Sequence, residues 1–174
     1  GQDHILGGAG ADTIDGGAGN DLIDYDATDL FIAGGIGIDT LQLIGNGETL
    51  NLNNVGNLSG FEKIDLTGTG ANALALTMSD IFNMGGDIDA FSTDPAHGDA
   101  QLLVDGGTGD TVNLQGIILN GGANILSTNS SLTSQGYVIG SQVAIDGGLY
   151  TPITKNNITM FLDTDIYDPN GGGG

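Results

Sequence analysis

Cysteine and tryptophan are absent from this sequence, and proline occurs only three times. Without cysteine no disulfide can staple the fold and no thiolate can hold a metal, so any cross-linking must come from elsewhere. Basic residues are almost absent too: Lys63 and Lys155 face 22 acids, for a net charge of −20. Nucleic acid and anionic membrane surfaces both require a basic patch, so neither is an expected partner. No apolar run reaches the roughly 18 residues of a membrane-spanning helix. The N-terminus shows no basic-then-apolar export signal, so such a signal is expected outside this sequence.

Catalytic signatures are missing as well. The two histidines, His4 and His97, form no H-E-x-x-H pair, no serine follows a glycine by two positions, and neither lysine follows a glycine. Metalloprotease, nucleophile-elbow and P-loop chemistry therefore have no foothold, and the expectation is a protein that is not an enzyme. Glycine, by contrast, is abundant, with 33 residues, far above the usual share of about 7%. Collagen would need a three-residue period, which is not there. Disorder is opposed by the regular placement of Ile, Leu and Val. Periodic turns remain.

Those turns recur every nine residues. Gly7-Gly8-Ala9-Gly10-Ala11-Asp12-Thr13-Ile14-Asp15 runs directly into Gly16-Gly17-Ala18-Gly19-Asn20-Asp21-Leu22-Ile23-Asp24, and Gly34–Gln42 is a third copy. Ile5, Ile14, Ile23, Ile32, Leu41 and Leu50 keep the nine-residue spacing, with Asp3, Asp12, Asp21, Leu30, Asp39 and Glu48 at the acidic position. Tyr25–Ala33 and Leu43–Asn51 are therefore degenerate copies. A three-residue strand turns one aliphatic side chain inward, and the glycines serve where φ is positive or the backbone approaches a neighbour closely. Two units make an 18-residue coil, and coils stack at the strand spacing of about 4.8 Å. Carboxylates and turn carbonyls of adjacent coils can together offer six or more oxygens to a hard cation.

All three full copies match G-G-x-G-x-D-x-U-x, and residues 1–50 resemble the RTX (repeat-in-toxin) calcium-binding repeat family. The resemblance implies a parallel β-roll with several Ca²⁺ ions between coils, type I secretion and an extracellular or cell-surface location. Candidate metal-site residues are Asp3, Gly8, Gly10, Asp12, Gly17, Gly19, Asp21, Gly35, Gly37, Asp39 and Glu48. Two sides of the roll are expected to differ: Asp3, Asp21 and Asp39 form an unbroken acidic row, whereas the other row is Asp12, Leu30 and Glu48. Asp29 or Asp26 could replace the carboxylate missing at Leu30.

Beyond residue 51 the pattern loosens. The fold expectation is all-β: a parallel β-roll or β-solenoid over residues 1–51, continuing into an irregular solenoid or β-sandwich-like part over 52–170. Residues 171–174 form a glycine tail. Residues 61–68 and 72–77 alternate like strands, and 79–84 read as one short helix capped by Ser79. Residues 102–112 resemble a repeat shortened by one residue just before Asp110. Val138–Ile145 and Ile158–Leu162 read as further strands. Gly60–Leu114 is similar to a segment of very large repeat-bearing bacterial surface proteins, which implies a structural or adhesive module. Asp163 and Asp165, in a C-terminal acidic loop, are further metal candidates, although the loop departs from the EF-hand pattern at Tyr167. Asp87, Asp89, Asp94 and Asp99 form a looser acidic cluster. Asn57, Asn129 and Asn157 head glycosylation-type triplets.

Expected partners are neighbouring copies or adjoining repeats. The sequence opens mid-repeat, and Gly172–Gly174 of one unit could complete the first turn of the next, giving a fibre. Two alternatives remain open: a polysaccharide-binding module resembling accessory modules of alginate epimerases, and a self-processing module that cleaves at Asp94-Pro95 or Asp168-Pro169.

Overall fold

The structure, a computed structural model, describes residues 1–54, 57–85, 89–121 and 125–170. The chain winds through β1 (His4–Ile5), β2 (Thr13–Ala18), β3 (Leu22–Asp24), β4 (Phe31–Ile36) and β5 (Thr40–Gln42) as a two-walled parallel roll. On one wall Ile5, Ile23 and Leu41 stand in register; on the other, Ile14 stands beside Ile32. Ile14, Ile23, Ile32 and Leu41 are all buried, as their place in the repeat requires.

The roll then gains a third wall. β6 (Thr49–Asn51), a 3-10 turn (Leu52–Asn54), β7 (Leu58–Ser59) and β8 (Lys63–Asp65) complete one wider coil. Leu41 pairs with Ile64, 23 residues on instead of 18. Leu50 keeps its nine-residue spacing but does not stack over Ile32, as the repeat alone implies. Leu58 of β7 takes that place, and Leu50 founds a separate sheet with Leu74. Leu43 supplies a physical reason. It stands where the repeat has its first glycine, and its fully buried side chain draws the chain around a wider core.

β9 (Ala73–Leu76), the helix α1 (Met78–Met84), β10 (Ala100–Asp105), β11 (Thr111–Leu114) and β12 (Ile117–Leu119) follow. α1 starts one residue earlier than expected, and its cap is Thr77, not Ser79. The Thr77 hydroxyl accepts the Asp80 N–H, and the Asp80 carboxylate accepts the Thr77 N–H at 2.6 Å, a reciprocal capping box. The helix covers the end of the β2–β4–β7 wall, where Gly60 donates its N–H to the Met84 carbonyl.

A second helix, α2 (Ile125–Ser134), precedes β13 (Val138–Ile139), β14 (Val143–Ile145), β15 (Gly148–Lys155) and β16 (Ile158–Asp163). β16 adds parallel to β10, and β15 then reverses direction, with β13 and β14 antiparallel to it. Among the described residues the largest sheet therefore holds nine strands, beside sheets of four and three. β12, antiparallel to β11, closes the four-stranded wall. Antiparallel strands or a helix thus end every wall on the C-terminal side, whereas among the described residues β1, β2 and β6 each pair on one side alone. The main apolar cluster runs from Ile14 to Tyr167, with a smaller one of Leu103, Tyr150 and Phe161 beside it, and the stacked parallel walls fit the expectation of an all-β, roll- or solenoid-like fold. The glycine tail, and with it the completion of a first turn by Gly172–Gly174, lies outside the described residues.

Candidate metal centre

The turns that precede the strands carry the acids, and the strand stacking places those acids in rows. Asp3 donates its N–H to Oδ1 of Asp21 at 2.8 Å, Asp21 to Oδ1 of Asp39 at 2.7 Å, and Asp39 to Oε2 of Glu62 at 2.8 Å. Each carboxylate thus grips the backbone of the acid one coil before it. The second row repeats the pattern once, from the Asp12 N–H to Oδ1 of Asp29 at 3.1 Å. The third runs from the Glu48 N–H to Oδ1 of Asn72 at 2.8 Å, and from the Asn72 N–H to Oδ1 of Asp110 at 2.7 Å.

Glycine makes these turns possible. Gly8, Gly10, Gly17, Gly19, Gly35 and Gly37 all have φ between 88° and 141°, a region that side-chain-bearing residues rarely enter. Stacking adds a second demand: a Cβ on Gly35 would lie 2.0 Å from the Gly17 carbonyl oxygen of the coil before.

The rows differ in what remains free. Oδ2 of Asp12, Asp21 and Asp29 is buried without a hydrogen-bond partner. A buried, unpaired carboxylate oxygen is strongly unfavourable, so a cation is called for. Neither lysine supplies it: Lys63 is ion-paired with Asp105, and Lys155 lies over the Tyr137 ring at 4.3 Å. Among the described residues no three His, Cys, Asp or Glu side chains cluster. A metal here would therefore draw on carboxylate pairs and turn carbonyls, an all-oxygen set that suits calcium and not zinc.

In the third row the remaining polar atoms have hydrogen-bond partners. Oδ2 of Asp110 accepts the Gly107 N–H at 2.7 Å, Oε2 of Glu48 accepts the Gly45 N–H at 3.0 Å, and the Asn72 amide donates to the Leu66 carbonyl at 3.0 Å. Asp110 and Glu48 therefore lie apart from the Asp3 and Asp12 rows, in a row stitched by amides.

Asp163 closes β16, and Asp165 lies in the turn just beyond it. Oδ1 of Asp163 accepts the Asp165 N–H at 2.8 Å, and Asp165 is exposed. Burial raises the Asp163 carboxyl above its ordinary range, and the negative charges of Asp165 and Asp105 add to the effect. The Asp168 carboxylate turns back in the same way, onto the Asn170 N–H at 2.8 Å. Of the looser cluster, Asp89, Asp94 and Asp99 sit in a loop organised by the buried amide of Gln101, and Asp87 lies outside the described residues. The three triplet asparagines are engaged: Asn57 with the Asp29 and Leu30 carbonyls, Asn129 with the Tyr167 hydroxyl, and Asn157 with Asp99.

Sequence reasoning passed over Glu62 and Asn72 as row members and left Asp29 as one of two options. The signal for the first two was an acid or amide two residues before an inward aliphatic: Glu62-Lys63-Ile64 and Asn72-Ala73-Leu74 repeat the arrangement of Asp21-Leu22-Ile23.

Comparison with protein families matches residues 1–29 to the RTX calcium-binding nonapeptide repeat, in four copies. Comparison with curated proteins and with solved structures gives no match.

Proposed function

On the premise that the chain opens with RTX calcium-binding repeats, we propose that it is a calcium-stabilised structural or adhesive module of an extracellular protein. One observation carries the reading: Asp12 and Asp21 each hold a buried carboxylate oxygen with no partner, in stacked turns of a chain of net charge −20. Calcium between the Asp3 and Asp21 turns and between the Asp21 and Asp39 turns supplies the missing charge. Extracellular calcium modules bind at about 10⁻⁴–10⁻³ M, so such sites fill outside a cell and stay empty in a cytoplasm. Folding is then deferred until export, which suits a chain that has no disulfide to lock it. Contact with neighbouring repeats or copies uses the free edges of β1 and β2, because unpaired strand edges invite association.

Calorimetric titration with calcium, run beside circular dichroism in chelator and in millimolar calcium, tests the proposal. Several bound ions and a gain in strand signal or melting temperature are expected. Identical spectra and melts in the two buffers, with no heat of binding, would refute it.

A further inference from the structure

Leu30 occupies the acidic position of the fourth repeat, and Tyr25–Leu30 holds none of the glycines of the motif. By the repeat rule this turn binds nothing. The structure nevertheless treats it as a working turn. Leu30 is 65% exposed, whereas Asp29, one residue earlier, is 7% exposed. Asp29 makes the contact that defines the first row, accepting the N–H of the acid one coil before it. Its other oxygen, and the corresponding oxygen of Asp12, are both buried and unpartnered.

We infer that Asp29 is a metal ligand, and that it completes with Asp12 a calcium site on the second side of the roll. This rests on the reading of the roll as a calcium-bound structure and extends it to a turn outside the repeat pattern. Asp26 does not fill the role: its carboxylate is exposed, and it accepts both the N–H and the hydroxyl of Thr28 at 2.8 Å. Thr28 stands at the fourth position, where the motif has its third glycine, and its hydroxyl, whose one proton is shared with Asp26, reaches the Gly10 carbonyl at 2.6 Å, tying the two turns together. The Asn57 amide holds the carbonyls of Asp29 and Leu30, each at 2.9 Å. Side chains thus do here what glycine flexibility does in the other turns. They also occupy carbonyls that a glycine turn leaves open, so this site is weaker than those on the first side. Tyr25 offers a reporter. It stands at the start of the same turn, four residues before Asp29, and packs half-buried against the core.

The test uses the full chain with calcium and, separately, terbium as probes. Asp29→Asn keeps an oxygen for the Asp12 N–H but removes the charge. It should retain the strand signal in calcium and bind one ion fewer by calorimetry, or bind that ion on the order of tenfold more weakly, because affinity follows ligand charge. It should also lose most of the tyrosine-sensitised terbium emission, as should Tyr25→Phe, which leaves calcium stoichiometry unchanged. Should Asp29→Asn fail to fold, Asp12→Asn is expected to show the same missing ion. Undiminished stoichiometry and affinity in Asp29→Asn, with normal binding by the unmodified chain, overturns this inference alone. No calcium uptake by the unmodified chain overturns the reading of the roll as well.

Discussion

Replacing Asp21 by asparagine should change the stability of this chain in opposite directions with and without calcium. Asp21 is 2% exposed and belongs to two adjacent turn pairs, Asp3/Asp21 and Asp21/Asp39. Asparagine keeps the oxygen that accepts the Asp3 N–H and removes only the charge. Without a cation, a buried unpaired carboxylate costs several kcal/mol, so in chelator the variant should be at least as stable as the unmodified chain. At calcium a hundredfold above the dissociation constant, each site contributes about 2.7 kcal/mol. A residue shared by two sites therefore puts up to about 5 kcal/mol at risk, on the order of 10 °C in Tm for a chain of this length. Asp12→Asn, which touches only the Asp29 pairing, should lose less. Thermal melts by circular dichroism in chelator and in 5-to-10-fold steps of calcium (roughly 10⁻⁵–10⁻² M, spanning the affinities of such modules) read both arms. A loss of the same sign and size in both buffers would mean that Asp21 is only a hydrogen-bond acceptor, and the argument for an ion between these turns would fall.

Three further outcomes follow from the same geometry. Gly8→Ala meets nothing within 4 Å and pays only for its φ of 88°, a cost of about 1–2 kcal/mol. Gly35→Ala would drive a Cβ into the Gly17 carbonyl, so urea titration in calcium should show a loss of about 3 kcal/mol or more; equal losses at the two positions would refute the stacking of the turns. Asn72→Asp puts a charge at a 1%-exposed position and removes the donor to the Leu66 carbonyl, costing about 2–3 kcal/mol. That loss should be the same in chelator and in calcium, and rescue by calcium would contradict an ion-free third row. Burial pushes the Tyr167 phenol up to about 12 from 10.0, with the Asp168 charge adding to it. Between those values the folded chain holds a proton that the unfolded chain has released, so stability falls as pH rises from 10 to 12, by up to about 2 kcal/mol. Tyr167→Phe should flatten that stretch of the Tm-versus-pH curve, and an unchanged slope would exclude the phenol as its source.

The regular part of this fold was legible because its two determinants are local. A nine-residue period fixes which aliphatic faces inward, and a glycine at positive φ fixes each turn, so Ile14, Ile23, Ile32 and Leu41 could be assigned to the core before any coordinates. Leu50 shows where the reasoning stopped. Its spacing is unbroken, yet its partner strand changed, because pairing depends on how far the preceding turn swings, and the burial of Leu43 set that swing. Asp29 illustrates a shift that the motif cannot express: the carboxylate moved by one residue while the N–H it must reach stayed in place. α2 was illegible for a different reason. Its sequence, Ile125-Leu-Ser-Thr-Asn-Ser-Ser-Leu-Thr-Ser134, is built of residues that compete with the helical backbone, and their hydroxyls now fold back onto carbonyls within the helix. The β15–β16 hairpin, by contrast, announced itself in Asn156-Asn157, both at positive φ, a pairing of residue type and turn that could have been read.

The widening of the coil has a thermal consequence. The two-walled coils bury only a thin row of aliphatics, whereas the three-walled coils enclose Leu43, Leu50, Leu58, Phe61, Ile64, Leu66 and Leu74. Exposed apolar surface raises the heat capacity of unfolding by about 0.45 cal/K/mol for each Å². Unwinding the narrow end therefore carries a small heat-capacity increment, so its free energy should run nearly straight with temperature and, with calcium held between the turns, shift with the logarithm of calcium activity. The wide end has a large increment and the curved temperature profile of an ordinary globular core, with hardly any dependence on calcium. A cold, calcium-poor solution and a hot, calcium-rich one should accordingly loosen opposite ends of the same nine-stranded sheet.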